Sequence, residues 1–483
     1  MIDLSAPALT TAEREFLAEG RVAGICLFGR NVIDRYQLAD YLAEVQQVAG
    51  DDLIVAVDQE GGGVLRLLDV PFPPPAMALG AADDVALTEA VAAATGRALA
   101  AVGINLDFAP VADVNSNPLN PVIADRSFGA DPALVARHVA AFVRGLQSAG
   151  VGATLKHFPG HGDTNLDSHL ALPVVDRSLT ELRATEFVPF RAGIAAGAAA
   201  VMSAHIVLPS LDTDLPATLS RRAMYGLLRN ELGFDGLSVT DALDMQAIAQ
   251  RYDAGRASVM ALAAGVDLPL TLGPIEQHRA TVTGRIAAFV SAYPASPSGG
   301  NLGPVEVADR ATMATATKRG LVSIGALPRL RPGDRVALLA MSAVRANAAS
   351  QLSARPADAL VDELTRRGAQ VLRHDLVWGE ANDPTPWLGG LGLVPDAVIY
   401  VSTSRTRVAP GEVAAARAAA AWARHAGVPF GHVALWNPYS TELVPGPALL
   451  AFGYRGTAAA AVTDVLFGEA ATGTLPVPLR PAS

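Results

Sequence analysis

The sequence predicts a TIM-like (β/α)8 barrel, with room for irregularity, followed by a second α/β sandwich domain. Three observations carry that expectation. Over residues 1–275, short apolar runs alternate with alanine-rich stretches of helical spacing. Polar, glycine-punctuated loops follow several of the runs, and such strand ends are where parallel α/β folds hold ligands. A Pro-, Gly- and Ser-rich stretch from Tyr293 to Pro304, YPASPSGGNLGP, then precedes a second α/β pattern. A doubly wound open sheet is the competing architecture. The boundaries expected are a catalytic barrel over 1–292, a linker over 293–308 and the second domain over 309–483.

The barrel strands are expected at Val22–Phe28, Leu53–Val57, Ile104–Phe108, Ala153–Lys156, Ala199–Ala204, Leu237–Thr240 and Val266–Leu270. An eighth would be irregular or hidden in the N-terminal turn. Helices are expected at Leu87–Ala101, Pro132–Ala149 and Leu179–Ala196. Beyond the linker, strands are expected near Arg335–Ala340, Ala397–Ser402 and His432–Leu435, with a helix at Gly411–His425. There is no short-period internal repeat.

Composition narrows the function. The 483 residues are 51% hydrophobic and 17% charged, which places the chain far from disorder. A net charge of -10 argues against a nucleic-acid partner, because phosphate binding needs a basic surface. The one cysteine, Cys26, excludes an intramolecular disulfide and reads as a small core residue. The N-terminal MIDLSAPALTTAERE has neither a basic n-region nor an apolar h-region. No apolar run approaches membrane-spanning length, so a cytoplasmic protein with no membrane partner is expected. Oligomeric state is left open.

The densest functional signal is KHFPGHGDTNLDSH, Lys156 to His169, directly after the buried strand VGATL. Three other strand ends carry charged groups. They are Asp58-Gln59-Glu60-Gly61-Gly62-Gly63 with Arg66, the loop from Asp113 to Gly129, and Thr240-Asp241-Ala242-Leu243-Asp244-Met245. Charged groups converging from several strands onto one rim are how a barrel makes an active site. Glycoside hydrolysis suits this set, since it needs a carboxylate on one face of a sugar and a proton donor on the other.

Asp241 is the expected nucleophile, because it ends a buried strand and is rigidly held. Its alternative is to cap the following helix. His169 is the expected proton donor, with Asp167 two residues earlier fixing its tautomer and raising its pKa. Its alternative is a loop histidine paired for rigidity. Lys156, Arg126, Arg66 and Asp58 would hydrogen-bond sugar hydroxyls, unless Arg126 and Asp125 form a structural ion pair. His157, His161, Asp163 and His169 offer zinc-type ligands, but Pro159 and Gly160 disfavour a shared helical face. No metal or organic cofactor is expected.

These residues resemble the β-N-acetylhexosaminidases of glycoside hydrolase family 3. The likeness rests on KHFPGHGDTNLDSH, Leu27-Phe28 with Arg30-Asn31, VDQEGG, FAPVADV, DRSFG and FDGLSVTDALDM, in the family's order. VLFGEAATGTLPVPL, Val465 to Leu479, resembles the end of the second domain in two-domain members. The resemblance implies a retaining mechanism with Asp241 as nucleophile and Asp167–His169 as the acid/base dyad. It implies sugar binding by Asp58, Arg66, Arg126, Lys156 and His157. The implied substrate is a small saccharide with terminal β-linked N-acetylglucosamine, from muropeptides in peptidoglycan recycling or from chitin. Two features depart from the family. The usual GGR is Gly61-Gly62-Gly63, and Thr240 and Ala242 stand where Ser and a second Asp are common. Alternatives are a β-glucosidase of the same family and a catalytically silent sugar-binding protein.

Overall fold

In the computed structural model the residues described are 1–20, 22–50, 53–166, 171–273, 284–295, 297–342, 355–377, 382–404 and 408–480. Two compact units form: Met1–Pro73 with Asp84–Thr312, and Pro74–Asp83 with Met313–Ser483.

Among the described residues, the first unit holds a curled, seven-stranded parallel sheet in chain order. Its strands are β1 (Ile2–Asp3), β2 (Gly24–Leu27), β3 (Ile54–Val57), β4 (Leu106–Asp107), β5 (Gly152–Phe158), β6 (Ala200–Ser203) and β7 (Leu237–Thr240). Parallel strands are covered on both faces, so they read as unbroken apolar runs rather than alternating ones. GICL, IVAV and AVMS are each buried throughout.

The expected strand Val266–Leu270 needs correction. Only Leu268 bridges to Val239 there, and Pro269 lacks the N–H a continuing ladder requires. The segment still closes the curl. The Met1 ammonium donates to Pro269 O at 2.9 Å, and Thr271 N–H donates to Met1 O at 3.0 Å. The N-terminal strand β1 sits beside it.

Helices Val85–Val102 and Pro132–Ser148 pack in close contact. Asp84 caps the first by accepting from Leu87 N–H, and Asp131 with Pro132 starts the second. At Gly145 a Cβ would lie 2.1 Å from Glu89 O, so only glycine allows this approach. Among the described residues, Val85–Val102 is the one helix long and apolar enough to cross a membrane, which corrects the sequence expectation. Its apolarity comes from the alanine and valine face buried against Pro132–Ser148.

The expected helix Leu179–Ala196 is also corrected. It divides into Leu179–Ala184 and Phe187–Ala195, because Thr185 leaves the helical region and Glu186 turns inward to Arg177. Cys26 is buried in the sheet, and burial pushes its thiol pKa up.

The second unit holds β8 (Val322–Ile324), β9 (Arg335–Met341), β10 (Gln370–Leu376), β11 (Ala397–Ser402), β12 (Phe430–Ala434) and β13 (Ala448–Leu450). Their order is β10-β9-β11-β12-β13-β8, with β8 antiparallel to β13 and the remaining pairs parallel. Alternate residues feed two cores. Leu338, Ala340, Ile399 and Val401 face one side, while Ala337, Leu339, Val398 and Tyr400 face the other. Helix Pro410–Ala426 begins on proline and ends at Gly427 in the left-handed region.

Candidate active site

The site is assembled at the C-terminal ends of the first sheet's strands. After β3 the chain turns through Asp58-Gln59-Glu60, and Gln59 fixes that turn. Its N–H donates to Asp107 Oδ1 at 3.0 Å. Its Oε1 accepts from Arg66 N–H and Leu67 N–H, and its Nε2 donates to Leu67 O. The flanking acids are thereby presented to cations from elsewhere in the fold.

Lys156 Nζ reaches Asp58 Oδ1 at 2.7 Å and Glu60 Oε1 at 2.5 Å. Arg66 meets Asp58 Oδ2 at 3.1 Å. Arg126 forms a two-pronged pair with Glu60 at 2.6 and 2.7 Å, and its guanidinium also donates to His157 Nε2 at 3.1 Å. Arg126 thus turns to Glu60, and the expected alternative pairing with Asp125 gives way to it. His157 Nδ1 lies 2.7 Å from Asp113 Oδ2. The carboxylate beside Nδ1 makes that nitrogen the donor to Asp113, while Nε2 faces the guanidinium. The chain of contacts runs unbroken from Arg66 through Asp58, Lys156, Glu60, Arg126 and His157 to Asp113.

Burial sets the electrostatics. It would raise the pKa of Asp58 and Glu60, but Lys156 with Arg66, and Arg126 with Lys156, outweigh it and hold both below the ordinary range. Lys156 stays charged because the two acids overcome its desolvation. Removing one member of such a buried set costs about 3–5 kcal/mol, since its partner is left uncompensated. Asp107, beneath them, differs. Desolvation pushes it up to about 8, and its Oδ2 has no hydrogen-bond partner.

Two local devices shape the loop after β5. The first is a bulge: Leu155 pairs with Val201 but Phe158 with Ser203, so β5 carries one extra residue there. Ordinary pleating would send Lys156 and His157 to opposite faces, and the bulge lets both join the network. The second is close packing on the loop after β4. A Cβ on Gly162 would lie 1.7 Å from Val114 O. Asn120 donates to His161 O and Gly162 O, His161 N–H donates to Asp113 Oδ1 at 2.6 Å, and His161 Nδ1 meets Thr164 Oγ1 at 2.8 Å. Desolvation, with the adjacent His157, lowers the His161 pKa to about 4. Asp167 and His169 lie outside the described residues.

Asp241 follows β7 directly. Its N–H continues the ladder to Ser203 O at 3.0 Å, and its Oδ1 accepts from Ala242 N–H at 2.8 Å. The next helix, Gln246–Ala249, is preceded by Met245, so the helix-cap alternative for Asp241 is corrected. Asp241 leaves β7 at the same end of the parallel sheet as the loop after β5.

The structure therefore brings Asp58, Arg66, Arg126, Lys156 and His157 into one network and places Asp241 at the same end of the sheet. Sequence reasoning gave no role to Glu60 or Asp113, each buried and joined to partners far along the chain. Their one signal was position at a strand end. Among the described residues, no group of three or more His, Cys, Asp or Glu is placed to hold a metal ion.

Fold and site together define a parallel α/β barrel with a row of charged groups at the C-terminal ends of its strands. Residues 1–291 match the glycosyl hydrolase family 3 N-terminal domain. A β-hexosaminidase of Stenotrophomonas maltophilia (strain K279a) is 42% identical over 254 residues, covering 51% of this chain and 75% of that protein. A family 3 β-N-acetylglucosaminidase from Paenibacillus sp. str. FPU-7 superposes with a TM-score of 0.89 at 33% identity, over 100% of this chain and 98% of that one. NagZ from Neisseria gonorrhoeae, solved with N-trifluoroacetyl-D-glucosamine, is 32% identical with a TM-score of 0.59, over 65% of this chain and 96% of that one. The chain belongs to glycoside hydrolase family 3.

Proposed function

We propose that this enzyme removes terminal β-linked N-acetylglucosamine from small saccharides with retention of configuration. Asp241 attacks the anomeric carbon while His169, oriented by Asp167, protonates the departing glycosidic oxygen. The C–O bond breaks and a glycosyl ester forms on Asp241. His169, now neutral, takes a proton from water, the water oxygen bonds to the anomeric carbon, and Asp241 is released. Asp58, Arg66, Arg126, Lys156 and His157 orient the sugar through its hydroxyls.

One observation carries the reading: an alternating, largely buried row of anions and cations stands at the end of the sheet where Asp241 follows β7. Such a row offers fixed acceptors and donors side by side, as vicinal hydroxyls require. The acetamido preference draws on the relatives named as β-hexosaminidases. Muropeptide or chitin fragments as the source, a role in cell-wall recycling and a cytoplasmic location belong to the same proposal.

The test has two arms. An activated fluorinated N-acetylglucosamine should trap a covalent adduct, and peptide mass mapping should place it on Asp241. Rates on aryl N-acetylglucosaminide should exceed those on aryl glucoside. A label on another residue overturns the mechanism. Faster aryl glucoside turnover makes the enzyme a β-glucosidase, and sugar binding without an adduct or turnover makes it a silent binding protein.

A further inference from the structure

The β6 end of the rim holds a second hydrogen-bonded set, built on two hydroxyls and an imidazole. Ser203 Oγ donates to Thr218 Oγ1 at 3.0 Å. Thr218 Oγ1 lies 2.9 Å from His205 Nδ1. On the far side of that ring, Nε2 lies 2.9 Å from Ala242 O. Ser203, His205 and Thr218 are fully buried. A carbonyl oxygen only accepts, so His205 Nε2 carries a proton. The Thr218 hydroxyl accepts from Ser203, and its one proton faces both Nδ1 and Ala204 O, each at 2.9 Å.

Ala242 is the residue after Asp241, and it is held at both ends. Its C=O receives His205, while its N–H donates to Asp241 Oδ1 at 2.8 Å. The same stretch is tied to β6 by Asp241 N–H and Ser203 O. A turn following a strand has rotational freedom in its first peptides unless both polar ends are engaged. Here the ring holds the Ala242–Leu243 peptide, and the adjoining Asp241–Ala242 peptide, joined to it at the Ala242 Cα, donates to the carboxylate.

We propose that His205 is a positioning residue for the nucleophile: through Ala242 it sets the angle at which the Asp241 carboxylate meets the anomeric carbon. The inference rests on Asp241 being the nucleophile. It adds that a fully buried imidazole, touching no substrate, governs the first chemical step. A small displacement of a reacting group costs about 10²-fold in rate. The loss should fall on attack rather than on sugar binding, because the hydroxyl-binding row stands on β3, β4 and β5.

The experiment follows single-turnover adduct formation with the fluorinated substrate in wild type, His205→Leu, His205→Gln and Thr218→Val. The expected result is adduct on Asp241 throughout, formed about 10²-fold more slowly in His205→Leu. Apparent substrate affinity should change less than about threefold, which is under 0.7 kcal/mol by the tenfold-per-1.4 kcal/mol relation. His205→Gln should recover most of the rate, since its amide NH₂ can donate to Ala242 O. Thr218→Val should lie between the two. Should His205→Leu fail to fold, His205→Gln and Thr218→Val carry the test by the same split. Unchanged adduct formation in the folded variants overturns the inference, as does a loss confined to affinity. An adduct on a residue other than Asp241 overturns the mechanism first, and is read from the mass map independently of any rate.

Discussion

Two buried glutamates, one in each unit, have opposite surroundings. Glu60 accepts Arg126 at 2.6 and 2.7 Å and Lys156 at 2.5 Å, and despite burial its pKa is lowered. Glu412 accepts the Tyr400 hydroxyl at 2.7 Å and the Ser404 hydroxyl at 3.1 Å, and burial raises its pKa. Both stand near the C-terminal side of a parallel sheet. One unit has gathered ions there, and the other has gathered hydroxyls and imidazole, as in Ser402, His432 and Ser440. A neutral network serves packing. An ionic one is costly to bury, which agrees with the use by a polar ligand proposed for this rim.

The largest effect should come from the ionic rim. Asp241→Ala should lower kcat by at least about 10⁴-fold with unchanged circular dichroism, the scale seen when a reacting group is removed. If most activity survives, the rim is not the reacting site and the contrast loses its meaning.

Glu60→Gln comes next. It leaves Arg126 and Lys156 short of a counter-charge, so stability should fall by about 3–5 kcal/mol in denaturant titration. A neutral outcome would mean the row is no more ionic in character than the second unit.

Asp107→Asn sharpens the comparison inside the first unit, because Asp107 is a fully buried acid whose pKa burial raises rather than lowers. Its folded pKa is pushed from 3.8 up to about 8. A raised carboxyl pKa gives stability that is complete below about 4 and is lost as pH rises through about 8. The asparagine variant should therefore gain on the wild type in chemical denaturation as pH is moved from 4 to 8. Parallel curves would show Asp107 ionised at neutral pH.

Glu412→Gln should have the smallest effect, about 1 kcal/mol, because the partners are neutral hydroxyls, one of which turns to accept from the amide, and no buried cation is left uncompensated. The wild type, with its raised carboxyl, should lose stability with rising pH relative to this variant. A loss as large as that of Glu60→Gln would erase the distinction between the units.

What could be read from the sequence followed from local physics. Ile54–Val57 and Ala397–Ser402 are continuous apolar runs, and burial on both faces makes such runs visible. Ile2–Asp3 is two residues long, too short for any pattern to register. Gln370–Leu376 was invisible for another reason: on the sheet's edge, most of its residues are only partly covered. Val266–Leu270 looked apolar enough, but its proline limits it to a bridge. In the site, Lys156, His157 and Asp241 stood out because they cluster in sequence or end a strand. Glu60 and Arg126 are 66 residues apart, and their pairing depends on tertiary geometry alone. His205 sat unmarked within apolar MSAHIVLP, where a lone histidine signals nothing without its partners.

The extra residue in β5 makes the enzyme vulnerable to a change that removes no functional group. Deleting one position ahead of Lys156 would restore regular alternation, turning either the ammonium or the imidazole away from the ionic network. Every side chain proposed to react or to bind would still be encoded. Spacing is thus part of the catalytic inheritance, and a frame-preserving loss of three nucleotides there should be as damaging as losing Lys156 itself.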